Sequence, residues 1–331
     1  MELLAVKNLK MYYKTLRGEV KAVDDVSFRL EQGRALGLAG ESGCGKSSMA
    51  VTLLRLLPSN GRITGGAVRF GGVDTLAMTE EEFRKEIRWK KISIIFQGAM
   101  NALNPVLRIG DQITEAIINA GAIPKPEAVA RTKELLAMVG IEPGRYGEYP
   151  HEFSGGMKQR VVIAMALACR PALVIADEPT TALDVMVQAQ VLTAMEKLRK
   201  KFNLSMILIS HDLSVIAQSC DDIAVMYAGK IVEYGEAVEI YKNPCHPYTR
   251  GLLGAFPDIT AERSPVKTIP GYAPNLLEPP AGCRFHPRCP LAVEECRRLE
   301  PALKTVRPGN NRVAACHRME EACALKWEAV Q

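Results

Sequence analysis

The sequence predicts an α/β fold in which a mostly parallel sheet surrounds one phosphate-binding helix, with an antiparallel β region before it and a small cysteine-rich tail after it. Three observations predict this. The apolar run Leu36–Ala39 leads into Gly40-x-x-x-x-Gly45-Lys46-Ser47 and then a helical pattern. A second apolar run, Leu173–Ala176, ends in Asp177 and Glu178. Four cysteines, Cys283, Cys289, Cys296 and Cys316, lie among arginines and prolines near the C-terminus. At 331 residues the chain is long enough for about two domains. Its 47% hydrophobic and 24% charged residues suit a globular protein with a real core. A net charge of +5 is too mild to point to nucleic acid. The N-terminus carries Glu2 and no long apolar run, so it does not read as a secretory signal. The longest apolar stretch is broken by Arg170 and Pro171, short of the ~20 residues a membrane helix needs. A chain soluble by itself, able to dock on a membrane protein, is expected.

In chain order, the first element with chemistry is the glycine-rich loop. A strand before it and a helix after it are the context a phosphate-binding loop requires, which an ordinary glycine turn lacks. Gly40, Ser42, Gly43, Cys44 and Gly45 turn backbone N–H groups inward around phosphate oxygens, and the positive end of the helix adds to the attraction. Lys46 is expected to reach the β- and γ-phosphates of a bound nucleotide, and the Ser47 hydroxyl, with Ser48 beside it, to face Mg²⁺. The second buried strand places Asp177 to hold Mg²⁺ and Glu178 to act as general base on the attacking water.

Around these two sites the residues resemble the ATP-binding-cassette ATPases. Phe153–Arg160, "FSGGMKQR", resembles that family's signature motif; "IIFQ", ending at Gln97, resembles its Q-loop; "TTALD", ending at Asp184, resembles its D-loop; and "ISHD" places His211 as the switch histidine. The resemblance covers roughly residues 3–250. It implies a RecA-like core with an antiparallel β subdomain and a helical subdomain over about 98–168, the cassette filling 1–254 and an extension 255–331. It further implies that Tyr13, with Tyr12 a close rival, stacks on adenine. Ser154, Gly155 and Gly156 open a helix facing the ATP of a partner cassette, and Gln97 acts as a metal-touching hinge. Cys44 departs from the serine common at its position and exposes the loop to alkylating agents.

"NPCHPYTRGLL" (Asn243–Leu253), "YPHEFSGGMKQR" and "FQGAMNALNP" resemble the ATPase subunits of oligopeptide and dipeptide importers. That implies a second ATPase subunit of different sequence, two transmembrane permease subunits and, indirectly, an extracytoplasmic solute-binding protein. It places the chain at the cytoplasmic face of the membrane. Oligosaccharide or nickel import, and a soluble ATPase outside transport, are the alternatives.

Residues 257–280 read as a proline-rich linker to a tail too small to bury much surface without a staple. The cysteine spacing C-x5-C-x6-C-x19-C lacks the tight knuckle of structural zinc sites. Thiolates suit zinc or an iron–sulfur cluster, and Cys289-Pro290 resembles the Cys-Pro of cluster sites. Some members of the importer subfamily carry a [4Fe–4S] cluster, which the resemblance implies here; Zn²⁺ and free thiols are the alternatives. Arg284, Arg288, Arg297 and Arg298 could offset the thiolate charge. Cys323 is a spare ligand candidate, and Cys169, Cys220 and Cys245 read as ordinary thiols of a reducing compartment.

Overall fold

The structure, a computed structural model, describes residues 1–98, 102–121, 123–181, 183–254, 269–307 and 311–325. It divides into two compact units. One contains Leu4–Arg29, Leu36–Val73 and Ser210–Gln331, the other Met1–Leu3, Leu30–Ala35 and Asp74–Ile209.

The chain opens with two long strands, β1 (Glu2–Thr15) and β2 (Gly18–Glu31), followed by the short β3 (Ala35–Ala39) and helix α1 (Lys46–Leu53). Then come β4 (Gly61–Phe70) and β5 (Val73–Asp74). Strands β2-β1-β4-β5 form a four-stranded sheet, the expected β region, in which β1 pairs antiparallel with β4 through Leu4↔Phe70 and Val6↔Val68. Those four side chains are buried, as alternating apolar positions on one sheet face require.

The middle of the chain supplies α2 (Glu80–Glu86), β6 (Ile92–Ile95), α3 (Ile109–Gly121), α4 (Lys125–Met138) and α5 (Gly155–Ala166). It continues with β7 (Leu173–Asp177), α6 (Val185–Phe202) and β8 (Ser205–Ser210). Strands β6, β7 and β8 pair in parallel, with Ile94↔Ile175 and Ile175↔Ile207 in register. Strand β7 is buried along its whole length, because a parallel strand covered on both faces reads as a continuous apolar run. Helices α3, α4 and α5 occupy the region expected to be helical. Between them the buried Thr114 hydroxyl bonds Thr132 at 2.9 Å and Tyr146 at 3.0 Å. Gly110 makes room there, since a Cβ would stand 2.2 Å from the Tyr146 ring.

The last third contains α7 (Leu213–Ser219), β9 (Asp222–Tyr227), β10 (Lys230–Glu236), α8 (Ala237–Lys242) and α9 (Pro247–Gly254). After it follow α10 (Glu294–Arg298), β11 (Lys304–Thr305), β12 (Val313–Ala314) and α11 (Met319–Ala324). Strand order runs β11-β12-β10-β9-β3, with β3 and β9 parallel and the rest antiparallel. The cysteine-bearing tail therefore adds two strands to the sheet that leads into the phosphate loop. Of the expected linker, 257–268 lies outside the described residues, and 269–280 forms neither helix nor strand. Among the described residues no helix is long and apolar enough to cross a membrane.

Candidate functional site

The glycine-rich loop joins β3 to α1. Gly40, Gly43 and Gly45 have φ of 150°, 78° and 108°, a region that favours glycine. At two of them space is also decisive. A Cβ would lie 2.2 Å from the Met226 carbonyl oxygen at Gly40 and 2.1 Å from that of Ala22 at Gly45. Lys46 is buried, and its Nζ donates to the carbonyls of Gly40 (2.7 Å) and Glu41 (3.0 Å). Ser42, Gly43 and Ser47 are exposed. Tyr13 shares a 3.1 Å hydrogen bond with Ser48, whereas the Tyr12 hydroxyl donates to Asp24 at 2.6 Å. Burial and that bond to Asp24 push the Tyr12 phenol well up. The two tyrosines thus separate, Tyr13 beside the first turn of α1 and Tyr12 committed to Asp24.

The expectation of a reactive Cys44 is corrected. Its side chain is 3% exposed, and burial raises its thiol above the ordinary range despite Lys46 nearby. His211 follows β8 and is exposed, next to Asp212, whose carboxylate caps α7 by accepting from Ser214 N (2.9 Å) and Val215 N (3.3 Å).

In the other unit, Asp177 ends β7 and is buried. Glu178 then turns with φ 47°, an uncommon conformation for a side chain of its size. Its Oε2 accepts from Gln97 Nε2 at 2.9 Å and from Thr181 Oγ1 at 2.9 Å. Gln97 and Glu178, 81 residues apart in the sequence, are thus hydrogen-bonded to each other. Thr181 is the partner that sequence reading missed, although it sits in the same D-loop motif. Ser154 caps α5 and Asp184 caps α6, each accepting from the backbone N–H three residues on, Met157 (3.4 Å) and Val187 (3.0 Å). Gly156 lets the two helix starts meet, since a Cβ there would stand 2.3 Å from Val187 Cγ1.

These loops and caps match known proteins along nearly the whole chain. Residues 23–181 match the ABC transporter family model, and residues 232–296 match the model of the oligopeptide/dipeptide transporter C-terminal region. The oligopeptide transport ATP-binding protein of Escherichia coli is 48% identical over 321 residues, covering 96% of this chain and 94% of that one. The dipeptide transport ATP-binding protein of Bacillus subtilis is 45% identical over 315 residues, covering 94% and 93%. The chain belongs to the ABC transporter ATPases. Among solved structures, a dimeric post-hydrolysis ATP-binding cassette bound to ADP and phosphate superimposes with a TM-score of 0.63 at 28% identity. The match covers 71% of this chain and 99% of the cassette.

The tail of this ABC ATPase gathers its cysteines by a tight turn. Gly282 (φ 67°) brings Cys283 N to the Cys296 carbonyl at 2.8 Å, where a Cβ on Gly282 would be only 2.5 Å from that oxygen. Burial, with Cys316, Cys283 and Cys296 adding to it, pushes the Cys289 thiol up to about 12. Burial likewise lifts Cys316 to about 11, with Cys283 and Cys296 adding. The four are therefore neighbours. Among the described residues, however, no three His, Cys, Asp or Glu side chains are gathered closely enough to hold one metal ion.

Two expectations for the tail are corrected. Cys245 and Cys323 form a disulfide, so Cys323 is not a spare ligand and Cys245 is not an ordinary thiol. The four arginines expected beside the thiolates are held by carboxylates instead: Arg284 by Asp24, Arg288 by Glu41, and Arg297 and Arg298 by Glu294. A carboxylate within hydrogen-bond reach outcompetes a more distant thiol. The cation that does feel thiols is Arg318, raised chiefly by Glu321 and further by Cys296 and Cys316.

Proposed function

We propose that this ATPase couples ATP hydrolysis to the uptake of di- and oligopeptides through membrane permease subunits. The observation that carries the reading is the match of residues 232–296 to the oligopeptide/dipeptide transporter C-terminal region, a segment outside the residues that match the ABC transporter family model. In this reading residues 1–254 form the cassette and 255–331 the extension, and the chain works at the cytoplasmic face of the membrane. It acts beside a second, different ATPase subunit, two permease subunits and, indirectly, an extracytoplasmic solute-binding protein.

The residues take roles that their chemistry allows. The inward-turned amides of Gly40–Ser48 and the Lys46 ammonium bind the phosphates, and Tyr13 stacks on adenine. Glu178, oriented by Gln97 and Thr181, takes the proton of the attacking water. His211 senses the γ-phosphate. Ser154, Gly155 and Gly156, at a helix N-terminus, face the partner's nucleotide, with Asp184 beside them. The Ser47 hydroxyl, the Gln97 amide and the Asp177 carboxylate are hard oxygen donors that suit Mg²⁺, which would neutralise phosphate charge there.

We further infer a [4Fe–4S] cluster at Cys283, Cys289, Cys296 and Cys316. Four mutually interacting thiols are the right donors for it. Bound there, it would staple the tail. Metal and sulfide analysis of anaerobically purified protein tests this; iron at wild-type level in Cys289→Ser would remove that ligand.

The transport role is tested by co-purification with integral membrane permease subunits, followed by ATPase assays in proteoliposomes. Turnover stimulated by a peptide-loaded binding protein is expected. Stimulation by an oligosaccharide- or nickel-loaded one instead would replace the peptide assignment.

A further inference from the structure

Arg288, next to Cys289, reaches into the phosphate loop. Its Nη1 and Nη2 donate to the two carboxylate oxygens of Glu41 at 2.7 and 2.9 Å. Glu41 directly follows Gly40, the first glycine of the loop. The other guanidinium contacts are filled as well: Nε donates to the Pro270 carbonyl at 2.8 Å, Nη2 to that of Gly271 at 3.4 Å, and Nη1 to the Tyr227 hydroxyl at 3.4 Å. The Arg288 side chain is 6% exposed and that of Glu41 28%.

Glu41 is held at three points. Its carboxylate meets Arg288, its backbone N–H donates to the Tyr248 hydroxyl at 2.8 Å, and its carbonyl accepts from Lys46. Tyr248 and Arg288 share one foundation: Tyr227 packs on Tyr248 with ring centres 4.5 Å apart and on Phe285 at 5.1 Å, while the Arg288 guanidinium lies 5.8 Å from the Tyr227 ring. Phe285 and Arg288 both belong to the cysteine-bearing segment Cys283–Cys289. A planar fork paired with a carboxylate is stiff and directional, so this is a clamp and not a loose surface pair.

The charge arithmetic gives the clamp a purpose. A carboxylate at the second position of a loop that encircles phosphates opposes the ligand unless it is neutralised. Lys46 cannot neutralise it while also serving phosphate oxygens. An arginine guanidinium keeps its charge, and its two bonds to Glu41 set that charge directly against the carboxylate.

We infer that Arg288 is a positioning residue for the phosphate loop: by holding and neutralising Glu41 it sets the affinity for Mg-ATP and makes the C-terminal segment a working part of the nucleotide site. This rests on the ATPase activity of the family and not on the cluster.

The test is isothermal titration of the full chain with Mg-ATP at fixed ionic strength. Lys46→Ala serves as the control for the ATPase reading itself and should abolish binding. Arg288→Gln, which keeps a donor for the Pro270 and Gly271 carbonyls but loses the charge, should raise Kd about 10-fold. Adding Glu41→Gln to it should restore Kd to within about threefold of wild type, because the exposed carboxylate is then gone. A purely structural role for Arg288 predicts no such rescue. A Kd for Arg288→Gln within about twofold of wild type, or a double variant that binds no tighter than Arg288→Gln, overturns the inference. Should Arg288→Gln fail to fold, Arg288→Lys keeps the charge without the fork. It is expected to weaken binding about threefold, again with rescue by Glu41→Gln, and an unchanged Kd overturns the proposal.

Discussion

Glu178 is held by Gln97 and Thr181 while its own backbone sits in a left-handed conformation, so its carboxylate is aimed by three independent constraints. In the proposed role of general base, a carboxylate fixed this firmly should be irreplaceable in the proton transfer yet dispensable for binding. Glu178→Gln is expected to retain Mg-ATP affinity and to lower turnover by about 10²- to 10⁴-fold; turnover near wild type would remove Glu178 from the role. Cys44 invites the opposite experiment. Burial outweighs the neighbouring Lys46 and raises the thiol, so at pH 8 the reactive thiolate is scarcer than for a free cysteine. Iodoacetamide should therefore modify Cys44 at least about 10-fold more slowly than an exposed thiol, with a rate still climbing above pH 9. Mass spectrometry of the peptide containing Cys44 reads this directly. At Asp24 burial pushes the carboxyl up, but Tyr12, Lys230 and Arg284 together bring it below its usual value. A depressed carboxylate stabilises the fold above its unfolded pKa of about 4 and loses that contribution as pH falls through the folded value. Acid unfolding of Asp24→Asn should accordingly show a shallower fall in stability below about pH 4 than wild type; identical acid limbs would show that the Asp24 network contributes nothing.

At the scale of elements, the contact between α5 and α6 ties two sequence motifs into one device. Ser154 and Asp184 cap these helices, and Gly156 lies where any side chain would strike Val187. A Cβ at 2.3 Å from a branched methyl must push the helix starts apart. Gly156→Ala should cost about 1–3 kcal/mol of stability and disturb the signature loop, and Val187→Ala in the same chain should recover much of it. Equal losses with and without Val187→Ala, measured by chemical denaturation, would mean that the clash is relieved elsewhere. This device was half legible in the sequence. Ser154-Gly155-Gly156 announced a helix start because a hydroxyl before a glycine pair is a capping pattern, and Leu36–Ala39 and Leu173–Ala176 announced buried strands because unbroken apolar runs need two covered faces. That Val187 closes on Gly156 was not legible, since nothing local records which helix packs against which. The same reason hid the tail's contacts. Arg284 and Arg288 looked like counter-ions for nearby cysteines because sequence shows neighbours along the chain, whereas Asp24 and Glu41, their true partners, lie 260 and 247 residues away. The tyrosine pair could not be separated either until Asp24 and Ser48 were seen to claim one each.

Over the whole molecule, the bond between Cys245 and Cys323 closes a loop with a sequence separation of 78 residues, and all four clustered cysteines fall inside it. The bond joins Cys245, two residues before α9, to α11, and Arg250 reinforces the junction by donating to the carbonyls of Pro244 (2.9 Å) and Cys323 (2.8 Å). The cysteine-bearing segment is thus pinned at both ends: inside, by Arg284 and Arg288 to Asp24 and Glu41, and outside, by this covalent link. Closing a loop of that length removes denatured-state freedom equivalent to about 4 kcal/mol. In a reducing compartment the pair would stand as two thiols and that contribution would be absent. The expected outcome is therefore conditional on redox state. Guanidinium unfolding of oxidised wild type should show the extra stability, reductant should lower it to the level of Cys245→Ser, and Cys245→Ser should ignore reductant. Thiol titration of the oxidised, denatured chain provides the matching count: seven free cysteines before reduction and nine after it. Nine thiols before reduction, together with an unfolding curve that does not respond to reductant, would mean that the inner ion pairs hold the tail without covalent help.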